Sequence, residues 1–106
     1  MQIESNGRNE LTIIGNIKSI EDSIDIKNAI NALQKTGEKN ILLRITDSFS
    51  MTSTVIGYLM KLVHLNKVQL SISVVDSRLY TLFDELCIVK MFNVRLVKQM
   101  EQADFQ

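Results

Sequence analysis

The chain has 106 residues, of which 45% are hydrophobic and 23% are charged. We therefore expect one domain, spanning residues 1–106, with a single hydrophobic core. Lysine and arginine together number 12 and balance the 12 aspartates and glutamates. A neutral chain without a basic run lacks the electrostatic attraction that dominates nucleic-acid binding, so we expect no nucleic-acid partner.

Cysteine occurs once, as Cys87, which excludes an internal disulfide and a multi-cysteine metal site. Its apolar neighbours Leu86, Ile88 and Val89 predict a buried structural thiol. The N-terminus has no basic segment followed by an apolar one, and no apolar run approaches the ~20 residues that cross a bilayer. We expect no signal peptide and no membrane insertion, and a cytoplasmic protein is the simplest interpretation.

The chain opens with a predicted β-hairpin. Residues 2–4 and 11–14 are short candidate strands, and Asn6 and Gly7 between them tolerate the positive φ of a turn. Residues 15–20 then predict a loop.

A helix and a buried strand follow the hairpin. Residues 21–36 predict the helix, with Ser19 and Asp22 as a capping pair at its start and Gly37 as a left-handed residue at its end. Residues 41–45 are a compact apolar run, typical of a central strand that is covered on both faces.

The second half of the chain continues to alternate between helices and strands. Residues 53–65 predict a helix with an apolar stripe. In residues 68–74 apolar and polar side chains alternate, which is typical of a strand with one buried face. Asp76 or Ser77 is expected to cap a third helix.

The last predicted elements are a strand at residues 94–97 and a terminal helix at residues 98–105. The resulting order, ββαβαβαβα, predicts an α/β fold with a mixed β-sheet, because strands that alternate with helices pair in parallel. The opening hairpin adds an antiparallel strand. The polar alternate face of residues 68–74 predicts helices mainly on one face of the sheet.

The chain carries little of the chemistry that catalysis needs. His64 is the one histidine, and its place near a helix end, off the apolar stripe, predicts a solvent-facing side chain. The four glycines are isolated, so the sequence holds neither a phosphate-binding loop nor a nucleophile elbow. Glu21, Asp22 and Asp25 predict a solvated helix start. We expect no enzyme activity, no cofactor and no metal.

Hydroxyl-bearing residues are concentrated between the central strand and the second helix. Thr52, Ser53 and Thr54 open this helix. One hydroxyl is enough to cap a helix, with a contribution of about 1 kcal/mol. The additional hydroxyls indicate a regulated surface.

These residues carry a resemblance to a known family. Residues 40–92 resemble the STAS domain of bacterial anti-sigma-factor antagonists, in which a central strand leads to an Asp-Ser-Ser/Thr-Gly motif at the start of a helix. Here the strand at residues 41–45 leads to TSTVIG at residues 52–57. SRLYTLFD at residues 77–84 resembles the third helix of the family, and GNIK at residues 15–18 resembles its first turn. The resemblance in element order covers nearly the whole chain and implies a STAS-like fold.

Three positions depart from the family pattern. Thr52 stands where the family has an acidic residue, Val55 replaces the motif glycine, and Lys18 replaces the acidic residue of the first loop. The resemblance still implies Ser53 as the phosphorylation candidate, with Thr52 and Thr54 beside it.

The resemblance also implies a function, that of a non-catalytic regulator of transcription. Such a protein binds a partner and releases it when a serine or threonine at the start of the second helix is phosphorylated. The implied partners are an anti-sigma factor with serine-kinase activity, from the histidine-kinase-type ATPase family, and a serine phosphatase. The implied partner-binding residues are Lys18, Ser19, Glu21, Asp22, Ser50, Thr52, Ser53, Tyr58 and Lys61.

Two alternative functions remain open from the sequence. One is a constitutive STAS subunit of a larger assembly, such as a lipid-transport ABC complex or a stressosome-like scaffold, and the missing acidic residues favour it. The other is a small-ligand or nucleotide sensor, since a hydroxyl-rich loop at a helix start suits a phosphate. Exposed strand edges at the opening hairpin also permit a homodimer.

Overall fold

The computed structural model describes residues 1–97, which form five strands and four helices. The elements are β1 (Gln2–Ser5), β2 (Glu10–Ile14), α1 (Ile20–Lys35), β3 (Asn40–Thr46), α2 (Ser53–His64), β4 (Gln69–Val74), α3 (Ser77–Glu85), α4 (Val89–Phe92) and β5 (Val94–Leu96). The short helix α4 is an addition to the predicted order. The helix predicted at residues 98–105 lies outside the described residues.

The five strands form one mixed sheet in the order β1-β2-β3-β4-β5. The pair β1–β2 is antiparallel, and the pairs from β2 to β5 are parallel. This confirms the predicted α/β fold. Each parallel crossover moves one strand further in the same direction, and such crossovers are right-handed, so α1 to α4 lie on one face of the sheet.

The sheet buries the face that the helices cover. Along β3, Ile41, Leu43 and Ile45 are at most 1% exposed, whereas Leu42 and Arg44 are half-buried. The expectation that both faces of this strand are covered is therefore wrong, because all four helices of the described chain lie on the side of the isoleucines. Within residues 1–97 no helix covers the opposite face, and we call it the helix-free face.

The opening hairpin is present, and four residues, 6–9, connect its strands. Gly7 has a φ of 97°. The backbone N–H of Asn6 donates to the Glu10 carbonyl at 2.9 Å, and the Asn6 side chain donates to Thr12 Oγ1 at 2.6 Å. The connection is therefore held by a side chain as well as by the backbone.

The ends of the helices follow the expected chemistry with one exception. Gly37, after α1, has the predicted positive φ, at 88°, and His64 is exposed at the end of α2. Cys87, after α3, also has a positive φ, at 60°, and its side chain is exposed. The prediction of a buried thiol is therefore wrong. The left-handed residue turns the chain so that Ile88 is buried instead.

Within residues 1–97, no helix combines the length and the apolar character needed to cross a membrane. Aspartate and lysine side chains are distributed along α1, the longest of these helices.

Candidate protein-docking site at the carboxyl ends of the strands

The carboxyl ends of parallel strands meet at one edge of the sheet, where ligands and partners of α/β folds commonly bind. The loop after β2 is hydrogen-bonded to the end of β3 and to the loop that follows β3. The Gly15 backbone N–H donates to the Thr46 carbonyl at 3.0 Å, and the Phe49 backbone N–H donates to Asn16 Oδ1 at 3.2 Å. The loop before α1 therefore fixes the position of the loop before α2.

The first of the three candidate hydroxyls, that of Thr52, has a structural role at the start of α2. Thr52 is the N-cap residue, and its Oγ1 accepts a hydrogen bond from the Val55 backbone N–H at 3.3 Å. The same oxygen lies 3.1 Å from Oγ of Ser23, which is 3% exposed in α1. The half-buried Thr52 thus joins the starts of α1 and α2.

Ser53 and Thr54 are the first two residues of α2, and both are exposed. The first turn of α2 contains no acidic side chain, whereas that of α1 contains Glu21 and Asp22. A helix start favours negative charge because its free N–H groups and its dipole point outward. Of the three candidate hydroxyls, these two are accessible to a modifying enzyme.

The start of α1 is fixed by the predicted capping pair. Ser19 Oγ accepts from the Asp22 backbone N–H at 3.0 Å. The Asp22 carboxylate accepts from the backbone N–H groups of Lys18 and Ser19, which lowers the pKa of Asp22. Ser19 and Asp22 therefore have structural roles, while the side chains of Lys18 and Glu21 are exposed.

Phe49 is a site residue that the sequence analysis did not select. Its ring is 46% exposed, and the Arg78 guanidinium carbon lies 4.7 Å from the ring centroid. Arg78 forms an ion pair with Asp76 at 2.7 Å, and its hydrogen bonds lower the pKa of that aspartate. Phe49 is the one aromatic residue among the hydroxyls of residues 46–54, which is the signal that singles it out.

Exposed apolar side chains occur in the first turns of α1 and in the loop before α2. Ile20 and Ile24 in the first turns of α1 are 77% and 48% exposed, beside the buried Ser23 that contacts Thr52. Contiguous exposed apolar patches with a polar rim are typical of protein interaction sites. We call this region the carboxyl-end surface, which consists of Ile20, Ile24, Phe49, Ser50, Ser53 and Thr54.

Two of the candidate partner-binding residues lie further along α2. The Tyr58 hydroxyl donates to Asn31 Oδ1 at 2.7 Å, and Lys27 Nζ lies 5.7 Å from its ring centroid. Tyr58 is half-buried, and burial raises its pKa. It therefore packs α2 against α1. Lys61 is exposed, about 12 Å along the helix from Ser53.

A depression of about 370 Å³ lies at the same edge of the sheet. Its lining includes the carboxylates of Asp47 and Asp76, and its arginine, Arg78, is already paired with Asp76. A phosphate in this depression would meet two carboxylates and no free cation of the lining. The lining of this depression is therefore poorly suited to a phosphate group.

The chain was compared with known proteins by sequence and by structure. No family model, curated protein or solved structure matches it.

Proposed function

We propose that this protein is a non-catalytic, STAS-type regulator that binds a protein partner through the carboxyl-end surface. The observation that carries the proposal is the exposure of Ser53 at the first position of α2, next to Thr52, which joins this helix start to that of α1 with its exposed Ile20 and Ile24. Phosphorylation of Ser53 releases the partner. Thr54 is the second accessible hydroxyl.

The physical effect of phosphorylation supports a switch at this position. A phosphate adds about −1.5 to −2 charges at pH 7. At the start of α2 these charges are favourable, since the first turn has no carboxylate to repel them. The same charges oppose docking, because a partner seated over Ser53 must remove water from them. The domain stays folded while its surface changes.

The proposed partner is an anti-sigma factor with serine-kinase activity, of the histidine-kinase-type ATPase family. A serine phosphatase resets the switch. Both partners follow from the resemblance of residues 52–57 to the family motif, and the proposed compartment is the bacterial cytoplasm.

Substitution of Ser53 tests the proposal. Wild type, Ser53→Ala and Ser53→Glu are used to capture partners from the native cytoplasm, and the captured proteins are identified by mass spectrometry. We expect wild type and Ser53→Ala to retain an ATPase of the histidine-kinase type and Ser53→Glu to release it. Circular dichroism is expected to show Ser53→Glu folded, because glutamate suits a helix start.

Ser77 provides a matched control for this experiment. It is an exposed serine at the first position of α3, as Ser53 is in α2. Ser77→Glu therefore adds the same charge at an equivalent helix position and is expected to retain the ATPase. Retention of the same partner by all of these variants would overturn the switch at Ser53.

A constitutive STAS subunit is the second candidate function, and the role of Thr52 favours it. Thr52 occupies the acidic position of the family motif, and its hydroxyl is bonded to Ser23 and to the Val55 N–H. No carboxylate therefore stands directly before Ser53 to mark it for a kinase. Under this alternative, Ser53→Glu and wild type capture the same assembly.

A further inference from the structure

The helix-free face carries a row of side chains that crosses all five strands. The strand register aligns Glu4 with Thr12, Thr12 with Arg44, Arg44 with Ser73, and Ser73 with Arg95. Alternation along each strand places these five side chains on the side opposite the buried Ile41, Leu43 and Ile45. The row therefore begins with a carboxylate on β1 and ends with a guanidinium on β5.

The two charges at the ends of this row are unpaired within residues 1–97. Glu4 and Arg95 are both exposed, and neither forms an ion pair with another described residue. Four strand spacings separate them, which is about 19 Å. At the centre of the row, Arg44 is paired with Glu10 at 3.0 Å. The face is thus acidic at one edge, basic at the other and neutral in the middle.

We propose that this face binds a second copy of the chain. A twofold axis that runs parallel to β3 above Arg44 exchanges β1 with β5. It places the exposed Glu4 of each copy over the exposed Arg95 of the other, while Thr12 and Ser73 between them are buried within each chain. Packed sheets lie about 10 Å apart, a gap that facing glutamate and arginine side chains span. The two Arg44 groups meet at the axis, where each is neutralised by its own Glu10.

The charges at the two edges of the face favour a second copy of the chain over other binding partners. A nucleic acid or an acidic protein matches the basic edge and is repelled by Glu4 at the other edge, whereas a second copy matches both edges at once. The face measures roughly 20 by 20 Å, below the ~800 Å² per partner of a standard interface. The dimer is therefore weak and depends on protein concentration.

Charge reversal across the two edges tests the dimer. Sedimentation velocity is measured over about a hundredfold range of concentration for wild type, Glu4→Arg, Arg95→Glu and an equimolar mixture of the two variants. Each single variant places like charges at both symmetric contacts, so we expect its dimer dissociation constant to rise at least about tenfold. In the mixture, an arginine at position 4 faces a glutamate at position 95, and a native Glu4 faces a native Arg95. The mixture is expected to dimerise like wild type.

Three outcomes would overturn this proposal: a wild-type chain that stays monomeric, single variants that dimerise as well as wild type, and a mixture that fails to recover. Dimerisation of the single variants would indicate pairing through a strand edge instead. The variants change exposed side chains, and circular dichroism verifies that they fold. The experiment needs only the purified chain, so its outcome is independent of the proposed switch at Ser53.

Discussion

At the scale of single residues, Asp22 gives the start of α1 a dependence on pH. Its carboxylate accepts hydrogen bonds from the backbone N–H groups of Lys18 and Ser19 at 3.0 and 3.2 Å, and these bonds lower its pKa. A carboxyl group with a lowered folded pKa contributes stability above its unfolded pKa, and that stability is lost as the pH falls through the folded pKa. We expect Asp22→Asn to lower the free energy of unfolding at neutral pH, with a deficit that shrinks below about pH 4.

Urea unfolding at a series of pH values measures this dependence. Asp25→Asn is the matched control, because Asp25 is an exposed aspartate of the same helix that is hydrogen-bonded to none of residues 1–97. The free energy of unfolding of Asp25→Asn is expected to stay close to that of wild type at every pH. A deficit of Asp22→Asn that stays constant from neutral to acid pH would contradict the role assigned to the charged carboxylate.

The roles of neighbouring hydroxyls at the start of α2 illustrate what the sequence predicts at this scale. Residues 52–54 were located correctly at the helix start, because a hydroxyl before an apolar stripe is a local signal. The hydroxyl that is hydrogen-bonded to another helix is that of Thr52, because it lies beside Ser23, which is 29 positions away in the sequence. The bonds of Phe49 to Asn16 and of Tyr58 to Asn31 join residues 33 and 27 positions apart. Such contacts follow from the packing of the loops and helices and leave no local pattern.

At the scale of elements, the end of α3 explains why Cys87 is exposed. The Ile88 backbone N–H donates to the Phe83 carbonyl at 3.1 Å, and that of Cys87 donates to the Asp84 carbonyl at 3.0 Å. These two bonds form a Schellman turn, in which the residue at the position of Cys87 is left-handed and is commonly glycine. An L-residue in this conformation costs about 1 kcal/mol.

Substitution of Cys87 tests this description of the helix end. We expect Cys87→Gly to raise the free energy of unfolding by about 1 kcal/mol, because glycine adopts a positive φ without strain. Cys87→Ala removes an exposed thiol and keeps the strain, so its effect is expected to stay within about 0.5 kcal/mol. Both values come from urea unfolding under reducing conditions. A loss of 2 kcal/mol or more in Cys87→Ala would instead indicate a buried thiol.

The order of the elements was predictable because hydrophobic periodicity is strong in this chain. The alternation in residues 68–74 correctly placed the helices on one face of the sheet. Two features were beyond this signal. The short helix α4 has four residues, too few to show a helical period. In β3, the apolar Leu42 continues the run of buried residues although it faces the helix-free side.

At the scale of the whole molecule, half of the large exposed hydrophobic side chains of the described residues belong to one of the two proposed surfaces. Six large hydrophobic residues are exposed among the described residues. Three of them, Ile20, Ile24 and Phe49, belong to the carboxyl-end surface. The acidic and basic edges of the helix-free face lie on another side of the sheet. The molecule therefore has two separate surfaces for the two proposed interactions, and changes in one are expected to leave the other intact.

Phe49→Ala separates a docking role for the carboxyl-end surface from a structural one. The ring is half exposed and packs under the Arg78 guanidinium, and an exposed contact of this kind contributes about 0.5–1 kcal/mol to stability. Aromatic anchors at interfaces contribute more, commonly 2 kcal/mol or above. The partner for this test is the protein that Ser53→Ala retains. We expect Phe49→Ala to weaken its binding by more than about tenfold. The free energy of unfolding is expected to fall by at most about 1 kcal/mol.

Leu86→Ala is the matched control for Phe49→Ala, because Leu86 is 47% exposed against 46% for Phe49 and lies at the other end of α3 from Arg78. Titration calorimetry with the purified partner gives the affinities, and urea unfolding gives the stabilities. Equal affinities for the two alanine variants would remove Phe49 from the interface. A loss of affinity in Phe49→Ala alone, with both variants folded, supports a contact of the partner with the ring or with the Arg78 guanidinium packed on it. The two substitutions remove apolar side chains of nearly the same exposure.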